Sequence, residues 1–179
     1  MILSGNAIRE AVEEDRITID PFDRRLLNPN SYNYRLGRFL KPAPPGVLDP
    51  RDHLEWPEFE IPDSGAVLEP GQLYLGHTWE SIGSQEFVTI LVGRSSVGRL
   101  GMFLQVSADL GHQGAVHSWT LELTVVQPVR VYQGRTIGQV SFWVADGAPT
   151  TYDGRYGRWS RPKEYIGAQL TGDLMEGEN

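Results

Sequence analysis

Two arginines and two adjacent serines stand between glycines in GRSSVGRLG, residues 93–101, directly after the apolar run FVTILV. Arg94 carries a planar fork of donors suited to phosphate. A cap from Ser95 or Ser96 would open a helical turn whose free N–H groups attract anions. Arg99 follows Ser95 by four residues, so one turn of helix would put both on one side. The plainer alternative is a capped surface turn with two solvated arginines, and residue types alone leave the two open. The second candidate is Glu122 in SWTLELTVV. On a strand, Leu121, Leu123 and Val125 share one face and Thr120, Glu122 and Thr124 the other. A carboxylate flanked by apolar neighbours in such a strand can serve as a base or acid. The alternative is an ordinary solvated glutamate. Metal chemistry finds less support. HLE at residues 53–55 matches only the first half of a zinc deaminase signature, because the chain has no cysteine to complete it. His77, His112 and His117 show no ligand spacing, so zinc is not expected. His77 and His117 are expected to pack or bond locally.

These residues sit in a chain of 179 residues with formal net charge -7. That length predicts a single domain, residues 1–179, with a full hydrophobic core. The acidic balance argues against a nucleic-acid surface, so any anion must be held by a local cluster. No apolar run reaches membrane-spanning length, and MILSGNAIREAVEEDR lacks the pattern of a signal peptide. Cytoplasmic residence is the expectation.

The elements that would position the candidates are mostly strands. Ser4 can cap a short helix carrying Ile8, Ala11 and Val12 at helical spacing and ending near Asp15. RITID reads as a strand, and a turn at Asn28–Ser31 precedes a strand of alternating character. The proline-rich stretch from Lys41 to Gly65 reads as a long surface excursion. Beyond it, Pro70-Gly71 marks a turn, with Leu73 and Leu75 alternating with Tyr74. FVTILV reads as a continuously buried strand. GMFLQVSA, SWTLELTVV and VRVYQGRTIGQVSFWVA continue the pattern, with a turn at Gln133-Gly134. Short strands at this spacing, with one N-terminal helix and one short helix around Ser96–Leu100, predict a mainly β protein, a barrel or jelly roll. The tail from about residue 147 reads as mobile or partner-dependent.

Taken in order, these stretches resemble the bacterial and archaeal dCTP deaminase family, a branch of the trimeric dUTPase fold. The matching pieces are MILSGNAIREAVEEDRITIDPFD, NPNSYNYRLG, LEPGQLYLGHTWESI and GRSSVGRLGM, with TLEL and VYQGRTIGQVSF resembling the family's catalytic strand and closing hairpin. The GRSS and RLG loop together with an in-phase TLEL is the specific part. The resemblance implies a distorted β-barrel or jelly roll of the dUTPase-like type. It implies that Arg94, Ser95 and Ser96 hold a triphosphate, and that Arg99 lies near the base and its attacking water. The backbone carbonyl of Ala108 would help hold that water. Glu122 would activate it for attack at C4 of cytosine and pass the proton to the departing amine, without zinc. A homotrimer with shared active sites, and Mg2+ accompanying the phosphates, are implied as well. Tyr152, Lys163, Tyr165 and Gln169 are the nearest candidates for a tail that closes over the nucleotide.

The sequence departs from the family pattern at three places. Asn33 in SYNYRLG stands where a carboxylate is usual, and His112 in LGHQG where a sugar-contacting aspartate is usual. The Lys, Tyr and Gln of RPKEYIGAQL are also spaced differently from the family's tail. The expected activity is hydrolytic deamination of a cytosine nucleotide, by default dCTP to dUTP and ammonia. Alternatives are a dUTPase-like or bifunctional dUMP-forming pyrophosphatase, a specialised deaminase with altered sugar specificity, and a non-catalytic nucleotide-binding paralogue. The missing glycine-rich closing motif weighs against the pyrophosphatase. Glu122, retained together with both serines and both arginines, weighs against the inert paralogue.

Overall fold

The computed structural model describes residues 1–49, 55–105, 107–148, 150 and 152. Helix α1 (Gly5–Glu13) starts where Ser4 accepts a hydrogen bond from the Ala7 N–H, and it buries Ile8 and Ala11. The cap satisfies an otherwise free amide, and the 3.6-residue period places the apolar stripe inward. Seven strands follow: β1 (Ile17–Asp20), β2 (Leu27–Asn28), β3 (Ser31–Arg35), β4 (Phe39–Pro42), β5 (Phe59–Glu60), β6 (Ala66–Leu68) and β7 (Tyr74–His77). Next come β8 (Ser81–Ser84), β9 (Phe87–Gly93), the short helix α2 (Ser95–Gly98) and β10 (Met102–Leu104). The remainder is β11 (Leu110–Gly111), β12 (Val116–His117), β13 (Thr120–Val125), β14 (Val129–Val131) and β15 (Thr136–Val144).

The mainly β class holds, and its distortion is visible in how the strands divide. Two five-stranded sheets run β10-β13-β7-β4-β5 and β11-β9-β15-β3-β2, beside a three-stranded sheet β1-β8-β12 and the pair β14-β6. Every strand pair is antiparallel. The inward residues form one apolar cluster that includes Tyr32, Tyr34, Leu91, Leu121, Leu123, Val140 and Phe142. β13 therefore lies with its leucines in the core and Glu122 on the opposite face.

Three expectations are corrected. β9 is not buried throughout; its residues alternate, and Val92 is 41% exposed. One face of this antiparallel sheet meets the core while the other does not, so an apolar run need not mean two covered faces. β7 shows the reverse: all four of its residues are buried, and Tyr74 and Leu75 do not divide into an inner and an outer face. The Gln133-Gly134 turn exists, with Gly134 at φ +71, but it does not close a hairpin. β14 pairs with β6, whereas β15 lies between β9 and β3, so this turn carries the chain from one sheet to another.

Both expected local histidines are buried and bonded. His77 Nδ1 lies 3.0 Å from the Thr78 carbonyl, and His117 Nδ1 3.1 Å from that of Ser118. The His77 ring packs so closely over Gly37 that a Cβ there would fall 2.1 Å from it, which restricts that position to glycine. Glu80, wholly buried, accepts the Arg35 Nε–H at 2.6 Å and the Arg35 backbone N–H at 2.9 Å. That pair ties the end of β3 to the link between β7 and β8.

Candidate functional site

The candidate residues fall into three groups. The first is the turn after β9. Arg94, not a serine, is the N-cap of α2, and its side chain makes no capping bond. Ser95 and Ser96 are instead the first two residues of the helix, both exposed. The Arg94 carbonyl already accepts from the amides of Val97 and Gly98, and that of Ser95 from the amide of Arg99. The N–H groups of Ser95 and Ser96 take no part in the helical ladder, as expected for an opening turn. Only Val97 anchors the turn to the core, and Gly101 at φ +79 lets the chain double back into β10. Among the described residues, Arg9, Arg16, Arg25, Arg35 and Arg38 form ion pairs, while Arg94 and Arg99 have none. Two cations without ion pairs stand beside two exposed hydroxyls and two free amides on a chain of net charge -7, an arrangement that can attract an anion.

The second group surrounds Glu122. The register Met102↔Val125, Phe103↔Thr124, Leu104↔Leu123 would bring Gln105 opposite Glu122. There the ladder changes character. The Gln105 backbone turns left-handed, at φ +50, a conformation uncommon for glutamine. Its amide N–H still reaches the Glu122 carbonyl at 3.2 Å, but the Glu122 N–H goes to the Gln105 side chain, Oε1, at 2.8 Å. The Nε2 of the same side chain donates to the Ala108 carbonyl at 2.8 Å. Ser107 Oγ lies 3.4 Å from Glu122 Oε2. The half-buried Glu122 carboxylate thus stands beside a loop that carries one hydroxyl and one carbonyl. That carbonyl has a lone pair left over after the Gln105 bond. A carboxylate and an available carbonyl can each accept a hydrogen bond from one water, and the carboxylate can then deprotonate it.

The third group is His112 with Tyr152. Their rings stack with centroids 5.1 Å apart and planes at 25°. The Tyr152 N–H donates to the Gln113 carbonyl at 2.7 Å. His112 is exposed, at the end of the short β11 beside β9, and Tyr152 covers one face of its ring.

Within the chain, no hydrogen bond or ion pair among the described residues joins α2 to Glu122. Asn33 lies on β3, in the other five-stranded sheet, where its Nδ2 donates to Asn28 Oδ1 at 3.3 Å beside Ser31 and Gln139. It belongs to a half-buried polar network and not to the groups around Glu122. Lys163, Tyr165 and Gln169, like His53, lie outside the described residues. No cluster of three histidine or carboxylate side chains able to hold a metal ion occurs among the described residues. Sequence reasoning missed Gln105 and Ser107. Alternation along FLQVS places Gln105 outward, and nothing in its residue type announces a left-handed backbone.

A family model described as dCTP deaminase-like matches residues 2–145. The dCTP deaminase of Rhodopirellula baltica is 46% identical over 147 residues, which cover 82% of this chain and 74% of that protein. The dUMP-forming dCTP deaminase of Hathewaya histolytica is 43% identical over 157 residues, covering 87% of this chain and 91% of that one. The crystal structure of 2'-deoxycytidine 5'-triphosphate deaminase from Agrobacterium tumefaciens superposes with a TM-score of 0.65 at 24% identity. That match covers 80% of this chain but only 48% of the Agrobacterium chain, and it bears on the fold alone.

Proposed function

Because this chain belongs to the dCTP deaminase-like family, we propose that it is a hydrolase that deaminates a cytosine nucleotide, dCTP by default, releasing ammonia and leaving dUTP. The observation that carries the reading is the Glu122 carboxylate held against the Ser107–Ala108 loop by Gln105. A water bound between Glu122 and the Ala108 carbonyl loses a proton to Glu122 as its oxygen attacks C4 of the pyrimidine. The attack opens the C4=N3 π bond. The 4-amino group then takes the proton from Glu122 and departs as ammonia, and the remaining hydroxyl proton passes to N3 as C4=O forms. Arg99 lies near the base and the attacking water. Arg94, Ser95 and Ser96 hold the triphosphate through charge-assisted hydrogen bonds.

Any Mg2+ would be held by the nucleotide phosphates, where it would neutralise part of their charge. The donors present fit this arrangement: α2 supplies hydroxyls, amides and guanidinium groups for phosphate oxygens, and a hard cation can keep phosphate and water as its ligands. His112 and Tyr152 are the described residues proposed to meet the sugar, with Lys163, Tyr165 and Gln169 proposed to complete the closure. α2 leads into the Met102 end of β10, opposite Val125, whereas Glu122 faces Gln105 at its other end, and this offset within one chain supports a homotrimer in which neighbouring subunits complete each site.

The test is incubation with Mg2+ and a panel of cytosine and uracil nucleotides, following ammonia and pyrophosphate separately. Ammonia alone from dCTP is the expected result. Ammonia with pyrophosphate would identify the dUMP-forming reaction, to which the Hathewaya histolytica relative's name points. Pyrophosphate alone, or neither product, would overturn the deaminase reading.

A further inference from the structure

We infer that Gln105 is a positioning residue for deamination, one that sets the distance between the Glu122 carboxylate and the Ala108 carbonyl. The inference rests on the reading of Glu122 as the base. Gln105 is 8% exposed, yet both ends of its side-chain amide are hydrogen-bonded. The orientation of that amide is dictated by its partners. The Glu122 N–H needs an acceptor and receives Oε1, whereas the Ala108 carbonyl needs a donor and receives Nε2. A carboxylate would offer no hydrogen to the carbonyl at neutral pH, a thioether would serve neither partner, and a chain one methylene shorter could not span both.

The left-handed turn at φ +50 makes the arrangement possible. In a regular antiparallel ladder, the backbone carbonyl of residue 105 would take the Glu122 N–H. Here the side chain replaces that rung, so the main chain is free to leave the sheet and bend toward Glu122. The same amide then fastens the bend at Ala108. One side chain therefore ends the β10–β13 pairing and holds the two groups proposed to share the water. Gln105 acts through its neighbours, without touching substrate or water.

The experiment compares full-length wild type with Gln105→Met, which keeps the volume without the hydrogen bonds, and Gln105→Asn, which keeps the amide on a shorter stem. For each, kcat and KM are measured with dCTP and Mg2+, together with dUTP affinity by calorimetry and folding by circular dichroism. A displacement of the carbonyl by about 1 Å should lower kcat by roughly 10- to 100-fold in both variants. KM and dUTP affinity should stay within about threefold of wild type, since neither phosphates nor sugar are touched. Wild-type kcat in whichever variant folds would overturn the proposal, as would parallel loss of kcat, KM and dUTP affinity. Glu122→Gln, assayed alongside, separates the two levels. If it keeps full turnover, the base assignment itself fails. If it loses turnover while Gln105→Met does not, only the positioning role fails.

Discussion

Replacing Glu122 by glutamine should separate chemistry from stability, and the surroundings of this residue allow both to be sized. The main-chain bonds of Glu122, its N–H to Gln105 Oε1 and its carbonyl to the Gln105 N–H, do not involve the carboxylate and survive the change. The carboxylate receives one long hydrogen bond, 3.4 Å from Ser107 Oγ, and the glutamine carbonyl can still accept it. A half-buried group losing so little should change folding stability by no more than about 0.5 kcal/mol. The barrier to deamination should change far more. An amide cannot take a proton from water, and loss of a general base costs roughly 10²- to 10⁴-fold in rate. At about 1.36 kcal/mol per tenfold, that is about 3 to 5 kcal/mol on the transition state. The assay is initial-rate ammonia release from dCTP, with dUTP binding and a thermal melt on the same preparations. The expected result is a kcat at least about 100-fold lower, with binding and melting midpoint close to wild type. A kcat within about fivefold of wild type would refute the role of Glu122. A large fall in melting midpoint would refute the structural reasoning that separates it from the fold.

Three further outcomes follow from other parts of the molecule. On the proposed homotrimer, Arg99→Ala and Glu122→Gln proteins, each expected to be impaired, should regain part of their activity after subunit exchange, and a fully active species of monomeric mass would exclude shared sites. His112→Asp removes the ring that stacks on Tyr152 at 5.1 Å and installs a charged acceptor. Ratios of kcat/KM among deoxy-, ribo- and sugar-modified cytidine nucleotides should therefore shift toward dCTP, and an unchanged profile would show that this position does not read the sugar. Side-chain and backbone hydrogen bonds from Arg25 hold the Asp23 carboxyl down at about 2, below its ordinary 3.8. Because the folded value is the depressed one, its stabilisation is complete above about pH 4 and is lost as pH falls through about 2. The melting-point gap between wild type and Asp23→Asn should accordingly shrink across that window, and a gap constant from pH 6 to pH 2 would contradict the pairing.

What could be read from the sequence was local. Ser4 before a 3.6-residue apolar stripe, and the split of Thr120, Glu122 and Thr124 from Leu121, Leu123 and Val125, follow from one element's own geometry. The partners of strands did not follow. VRVYQGRTIGQVSF has the turn residues of a hairpin, but whether β14 finds β15 or β6 depends on contacts distant in sequence. The same holds for Val92, whose exposure is set by what covers β9 and not by its own side chain. Serine chemistry pointed to the right turn while missing the cap by one residue, since helix boundaries are decided by backbone angles as well as side chains. The family resemblance supplied Glu122 and Ala108, but the side chain that joins them lay outside its motifs.

The place of β15 in the sheet governs the order in which this protein can be made. Asn33 pairs with Gln139, more than a hundred residues later, and β15 supplies the neighbour to both β3 and β9. The first residues close on the same strand, with Leu3 donating to the Phe142 carbonyl and Val144 donating to that of Met1. As the polypeptide leaves the ribosome, β3 and β9 emerge without the strand that belongs between them and must wait with apolar faces uncovered. Pairings this remote in sequence fold slowly and expose the nascent chain to aggregation. A product truncated before residue 136 would lack the centre of one sheet, not its margin.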